Sequence, residues 1–76
     1  MIKVNTHPAN WQVFNDRGDS VSLDTDSSYV NSDIYDSLND VVDDFIEKIE
    51  ASFGTLSEDD KEEIRVYCDI HFSDRF

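Results

Sequence analysis

The stretch SDIYDSLNDVVDDFIEKIEASFG, residues 32–54, decides the fold. Placed on a helical wheel at ~100° per residue, Ile34, Tyr35, Leu38, Val41, Val42, Phe45, Ile46, Ile49 and Phe53 fall within roughly 140° of one another. Asp33, Asp36, Asp40, Asp43, Asp44, Glu47 and Glu50 gather on the opposite side, within roughly 120°. The spacing predicts one long amphipathic helix over about 32–53, with one apolar and one anionic face. Asn31 or Ser32 would cap its start, and Gly54 would stop it at the C′ position.

Downstream, Ser57 and Asp60 have the spacing of a capping box and open a second helical segment over 57–72. Its far half has two patterns. Ile64, Tyr67, Cys68 and His71 suit a helix, whereas Val66, Cys68, Ile70 and Phe72 alternate as in a strand; helix is the expectation. Upstream, over 1–24, the period is two: Ile2 and Val4 alternate with Lys3 and Asn5, Trp11, Val13 and Phe14 lead into a polar turn, and Val21 and Leu23 alternate with Ser20 and Ser22. Pro8 interrupts the first pairing, and Asn15-Asp16-Arg17-Gly18-Asp19 supplies a turn in which Gly18 is free to take positive φ. The expected fold is α+β. Two or three short antiparallel strands are packed by the long helix and a second C-terminal helix.

A chain of 76 residues accommodates one small domain, 1–76, with little room for a large enclosed active site. It carries 18 acidic against 6 basic side chains, a net charge of -12. Asp16 and Asp19 balance Lys3 and Arg17, so the whole imbalance lies in 24–76. Such a surface is repelled by phosphates, which counts against direct binding to nucleic acid or an anionic membrane unless a bound cation intervenes, and points to a basic partner. No apolar run is long enough for a membrane span or an export signal, so a cytoplasmic location is expected.

Cys68 is the single cysteine. It can form neither an internal disulfide nor a cysteine zinc cluster, and is expected in the core. His7 and His71 lack a partner cysteine or an HExxH spacing, so no metal is expected, and no cofactor either. Asp24-Thr25-Asp26-Ser27-Ser28 opens like a calcium loop, but Tyr29 and Tyr35 occupy the positions that need glycine and glutamate. Arg17-Gly18-Asp19 has the form of an adhesion tripeptide and is expected to be a hairpin turn. Neither a Gly-rich phosphate loop nor a nucleophile elbow is present, and carboxylates on an exposed helix lack the desolvated cleft of acid–base catalysis. An enzyme is not expected.

The anionic face is costly. Like charges such as Asp36 with Asp40, Asp40 with Asp44 and Asp43 with Glu47 each destabilise a helix by ~0.2–0.5 kcal/mol. Aspartate is a poorer helix former than glutamate, and only Lys48 interrupts the face, although a surface built for solubility alone would mix in lysines. Residues 33–50 would extend ~27 Å, giving one carboxylate per ~4 Å of axis against one phosphate per ~3.4 Å of a DNA strand. Glu58, Asp59 and Glu62, with Asp60 and Glu63, form a second cluster that would widen this surface. The candidate partner-binding residues are therefore Asp33, Asp36, Asp40, Asp43, Asp44, Glu47, Glu50, Glu58, Asp59 and Glu62, with Tyr29 and Phe76 as candidate aromatic anchors.

In size and charge, residues 24–76 resemble the small acidic DNA-mimic inhibitors that bacteriophages and mobile elements direct against restriction enzymes, CRISPR effectors, DNA-repair glycosylases and nucleoid proteins. The resemblance implies stoichiometric inhibition of a basic nucleic-acid-binding protein in the host cytoplasm, and is compatible with a homodimer. An immunity protein or antitoxin that blocks a basic nuclease toxin is the alternative. Asp36-Ser37-Leu38 also resembles the motif of acyl carrier proteins, which implies a phosphopantetheine arm on Ser37. No glycine precedes that triad, Val42 stands where the family has a glutamate, and strand-like alternation over the first thirty residues replaces its N-terminal helix.

Overall fold

Two tight turns let the period-two segment fold back on itself twice. We describe residues 1–76 from a computed structural model, in which the strands are β1 (Lys3–Thr6), β2 (Asn10–Phe14) and β3 (Ser20–Asp24). They form an antiparallel sheet in the order β1-β2-β3. Pro8 lies in the β1–β2 turn, where its missing N–H removes nothing from the ladder. In the β2–β3 turn the Asn15 side chain accepts from the N–H groups of Arg17 and Asp19, and Gly18 takes a φ of 88°. The Arg-Gly-Asp tripeptide is thus the hairpin turn.

The register places Val4 opposite Val13 and Val13 opposite Val21, and Thr6 opposite Trp11 and Trp11 opposite Leu23. With the period of two, these side chains share one face, and Lys3, Asn5, Gln12, Ser20 and Ser22 take the other. The apolar face is covered by α1 (Leu38–Phe53) and α2 (Glu58–Phe72), followed by a short 3-10 turn, Ser73–Arg75. The result is a two-layer α+β domain. No helix is long and apolar enough to cross a membrane.

Trp11 is the centre of the core. Its ring stacks on Phe72 at 5.0 Å between centroids and meets Phe45, Tyr67 and His71 edge-on at 5.7, 6.1 and 5.4 Å. One strand residue therefore contacts both helices. Val41, Val42, Phe45 and Ile49 are buried from α1, and Ile64, Cys68 and Phe72 from α2. Cys68 is completely buried, and burial pushes its thiol up to about 12. The second segment is helical through residue 72, which leaves Val66 and Ile70 on its outer side, 47% and 67% exposed.

The long helix begins later than its periodicity predicts. Asn31 does cap a turn, accepting from the N–H groups of Asp33 and Ile34 and donating to the Ser27 carbonyl. That turn does not propagate. The chain breaks at Asp36-Ser37, where Ser37 is extended (φ -153°, ψ 167°) and its hydroxyl accepts from the Asp40 N–H at 3.4 Å. The physical cause is competition: Ser, Asp and Asn side chains offer the backbone local hydrogen bonds that a helix interior does not use. Ile34, predicted on the apolar face, is consequently 55% exposed. Gly54 ends α1 as expected, at φ 83° with its N–H on the Glu50 carbonyl.

Candidate partner-binding surface

The late start of α1 changes the anionic face. Asp33 and Asp36 lie in the preceding loop rather than on the helix, so the seven carboxylates do not form one straight row. On α1 itself the acids are Asp40, Asp43, Asp44, Glu47 and Glu50.

Two of these are occupied within the fold. Asp44 accepts the Tyr35 hydroxyl at 2.7 Å and pairs with the Lys48 ammonium at 3.1 Å. Burial works to raise the Asp44 carboxyl, but these two partners outweigh it and the net shift is downward. Burial, and then the bond to the Asp44 carboxylate, push the Tyr35 hydroxyl up to about 12. Glu50 accepts the Leu56 N–H at 2.8 Å and so fastens the turn between the helices. Both carboxylates are half-buried. Asp40, Asp43 and Glu47 are exposed, and their carboxylates make no hydrogen bond or ion pair within the chain. Between residues 40 and 47 the axis advances ~10 Å, so the free row is much shorter than the ~27 Å that the sequence suggests.

The second cluster divides in the same way. Asp60 is buried and accepts the Ile2 N–H at 3.2 Å, tying the N-terminus of the sheet layer to α2. Only one half of the expected capping box forms: Ser57 accepts from the Asp60 N–H, while the Asp60 carboxylate serves the strand instead of the Ser57 backbone. Glu62 pairs with Arg65 at 2.6 Å, and Glu58 is a longer 3.8 Å from Lys61. Asp59 is exposed and unpaired.

The packing of α1 on α2 leaves one groove between them, with Glu62 of the second cluster on its α2 side. It measures about 290 Å³, with Leu38, Val42 and Val66 as its apolar lining and Asn39, Glu62, Arg65 and Asp69 as its polar lining. Asp69 lies one heptad after Glu62 on the same helical face; the competing strand pattern over 66–72 hid that relation in the sequence. Tyr29 and Phe76, the expected aromatic anchors, are 56% and 41% exposed.

Ser37 serves as the N-cap of α1 and is half-buried, with sheet and turns preceding it rather than the helix of an acyl carrier protein. In the loop that opens like a calcium site, Asp26 is satisfied locally by the hydroxyl and N–H of Ser28. No group of three or more His, Cys, Asp or Glu side chains is arranged to hold a metal ion. Compared with known protein families, with curated proteins and with solved structures, the chain matches none.

Proposed function

We propose that the chain is a stoichiometric, cytoplasmic inhibitor of a basic nucleic-acid-binding protein, a nuclease or a nucleoid protein, which it binds through the outer faces of α1 and α2. The observation that carries this reading is the set of carboxylates without internal partners on adjacent elements: Asp36 on the approach to α1, Asp40, Asp43 and Glu47 on it, and Asp59 and Asp69 on α2. In the fold these carboxylates form no ion pair, and against a lysine- and arginine-rich cleft they would each find a partner. Beside them the groove at Leu38, Val42 and Val66, together with exposed Ile70, offers the apolar contact that gives an electrostatic encounter its lifetime. The molecule is 34 Å long, about one turn of B-DNA, so it would cover a cleft of that length.

The test is displacement of labelled duplex DNA from restriction, CRISPR and repair nucleases and from nucleoid proteins. Displacement by equimolar protein, weakening steeply as salt rises, is the expected result. The triple variant Asp40→Asn, Asp43→Asn, Glu47→Gln should retain the fold and displace at least about tenfold less well, since charge-assisted bonds carry ~1.5–3 kcal/mol each. A triple variant that competes as well as the parent would show the acids to be a solubility device.

A further inference from the structure

Away from the acidic surface, the β1–β2 turn and the end of α2 border an open cavity of about 260 Å³. Acids make up 18 of the 76 residues, yet none lines this cavity. Both histidines of the chain, His7 and His71, do so, together with Arg75, Trp11, Thr6 and Thr25. A chain this acidic has few basic side chains, and the convergence of three of them from positions 7, 71 and 75 leaves a patch of hydrogen-bond donors with no carboxylate in its walls. Asp26, which lies near enough to feel Arg75, directs its carboxylate to Ser28.

The donors are held but not consumed. Arg75 gives Nη1 to the carbonyls of Thr25 and Val30, at 2.9 and 3.1 Å, and its guanidinium lies 4.8 Å over the Phe72 ring. Its Nε and Nη2 donors make no bond within the chain, although a guanidinium has five N–H groups in a fixed fork suited to oxyanions. His71 is oriented between Trp11 and Tyr67, with no protein partner on either ring nitrogen. Trp11 borders the cavity with its ring between those of Phe72 and His71.

We propose that this cavity binds a small phosphate-bearing anion, held by Arg75, His71 and His7 beside the Trp11 ring. At about 260 Å³ it lies just below the ~300–1,000 Å³ of pockets for drug-sized molecules, which suits a small anion. Inorganic phosphate and the terminal phosphate of a short metabolite share the necessary chemistry.

Trp11 is the only tryptophan, so its indole resonance and fluorescence report on the cavity directly. At constant pH and at constant ionic strength in chloride, inorganic phosphate should shift the Trp11 indole signal saturably. Glycerol 3-phosphate binding more tightly than inorganic phosphate would identify a phosphomonoester as the ligand, and the reverse order would identify the free ion. The double variant His7→Gln, His71→Gln changes two exposed side chains and should weaken binding by about tenfold or more. Arg75→Gln should weaken it too, but also loosens the carbonyls it holds, so the histidine pair is the decisive test. A shift that never saturates, one equal in acetate, or one unchanged in the histidine pair would overturn the proposal. None of these measurements involves the acidic surface or its partner.

Discussion

The chain contains the tetrad Ser-x-x-Asp twice, at Ser37 to Asp40 and at Ser57 to Asp60. Locally the two behave alike: each serine is an extended N-cap whose hydroxyl accepts from the aspartate N–H, at 3.4 and 3.2 Å, and a helix of 16 or 15 residues follows. The carboxylates then diverge. Asp40 points to solvent without a partner, whereas Asp60 is buried and holds the N–H of Ile2 across the domain. Identical capping chemistry thus starts two helices, and what each aspartate does next depends on whether the sheet layer passes beside it.

What the helices share is Trp11, and its removal is the largest expected effect. Trp11→Ala should cost about 3–5 kcal/mol, the usual range for a buried tryptophan. Both helices should be lost in one transition on chemical denaturation; survival of either alone would show that the layers fold independently. Next comes the divergence itself. Asp60→Ala leaves a buried N–H unpaired and should lower stability by ~1–3 kcal/mol. Asp40→Ala should lie within ~0.5 kcal/mol of the parent, since it changes an exposed side chain and relieves repulsion from Asp43 and Asp44. Equal denaturation midpoints for the two would abolish the distinction.

The common part of the tetrads is tested by Ser37→Ala and Ser57→Ala, each expected to cost ~0.5–2 kcal/mol for a lost N-cap. A much larger loss at Ser57 would mean that the cap also positions Asp60. Smaller still, Tyr35→Phe should cost ~0.5–1.5 kcal/mol by removing one hydrogen bond to Asp44. Its signature is in the pH profile. The folded Asp44 carboxyl lies below the usual carboxylate range, so its contribution is present above pH ~4 and lost as pH falls through the folded value. Tyr35→Phe should flatten that acid limb. At the alkaline end the signs reverse: Cys68 and Tyr35 are both pushed up to about 12, so stability is lost as pH rises from about 9 toward that value. Thiol modification should accordingly require unfolding, and a native-state reaction as fast as that of the denatured chain would contradict the burial of Cys68.

Much of the architecture was legible because it depends on periodicity and turn chemistry. The alternation around Trp11 and Val21, the turn at Gly18, the cap at Ser57 and the stop at Gly54 all involve residues within a few positions of one another. The start of α1 was misplaced because Asn31 does cap a turn, and nothing within that turn tells that it fails to continue past Ser37. The candidate surface was legible by composition but not by availability. Asp44 and Glu50 look identical in pattern to Asp43 and Glu47, and only their contacts with Tyr35, Lys48 and the Leu56 N–H separate them. The donors around Trp11 left no local trace, since His7 and His71 are far apart in the chain and each is unremarkable alone.

The sequence by itself determined the charge, its confinement to residues 24–76, the strands, the caps and the apolar stripes, because these depend on covalent order and short-range sterics. Only the tertiary structure decided which carboxylates remain free, which histidines share a cavity and which face of α2 stays in solvent. Those outcomes are set by packing the helices over Trp11, which brings together groups that the chain keeps far apart.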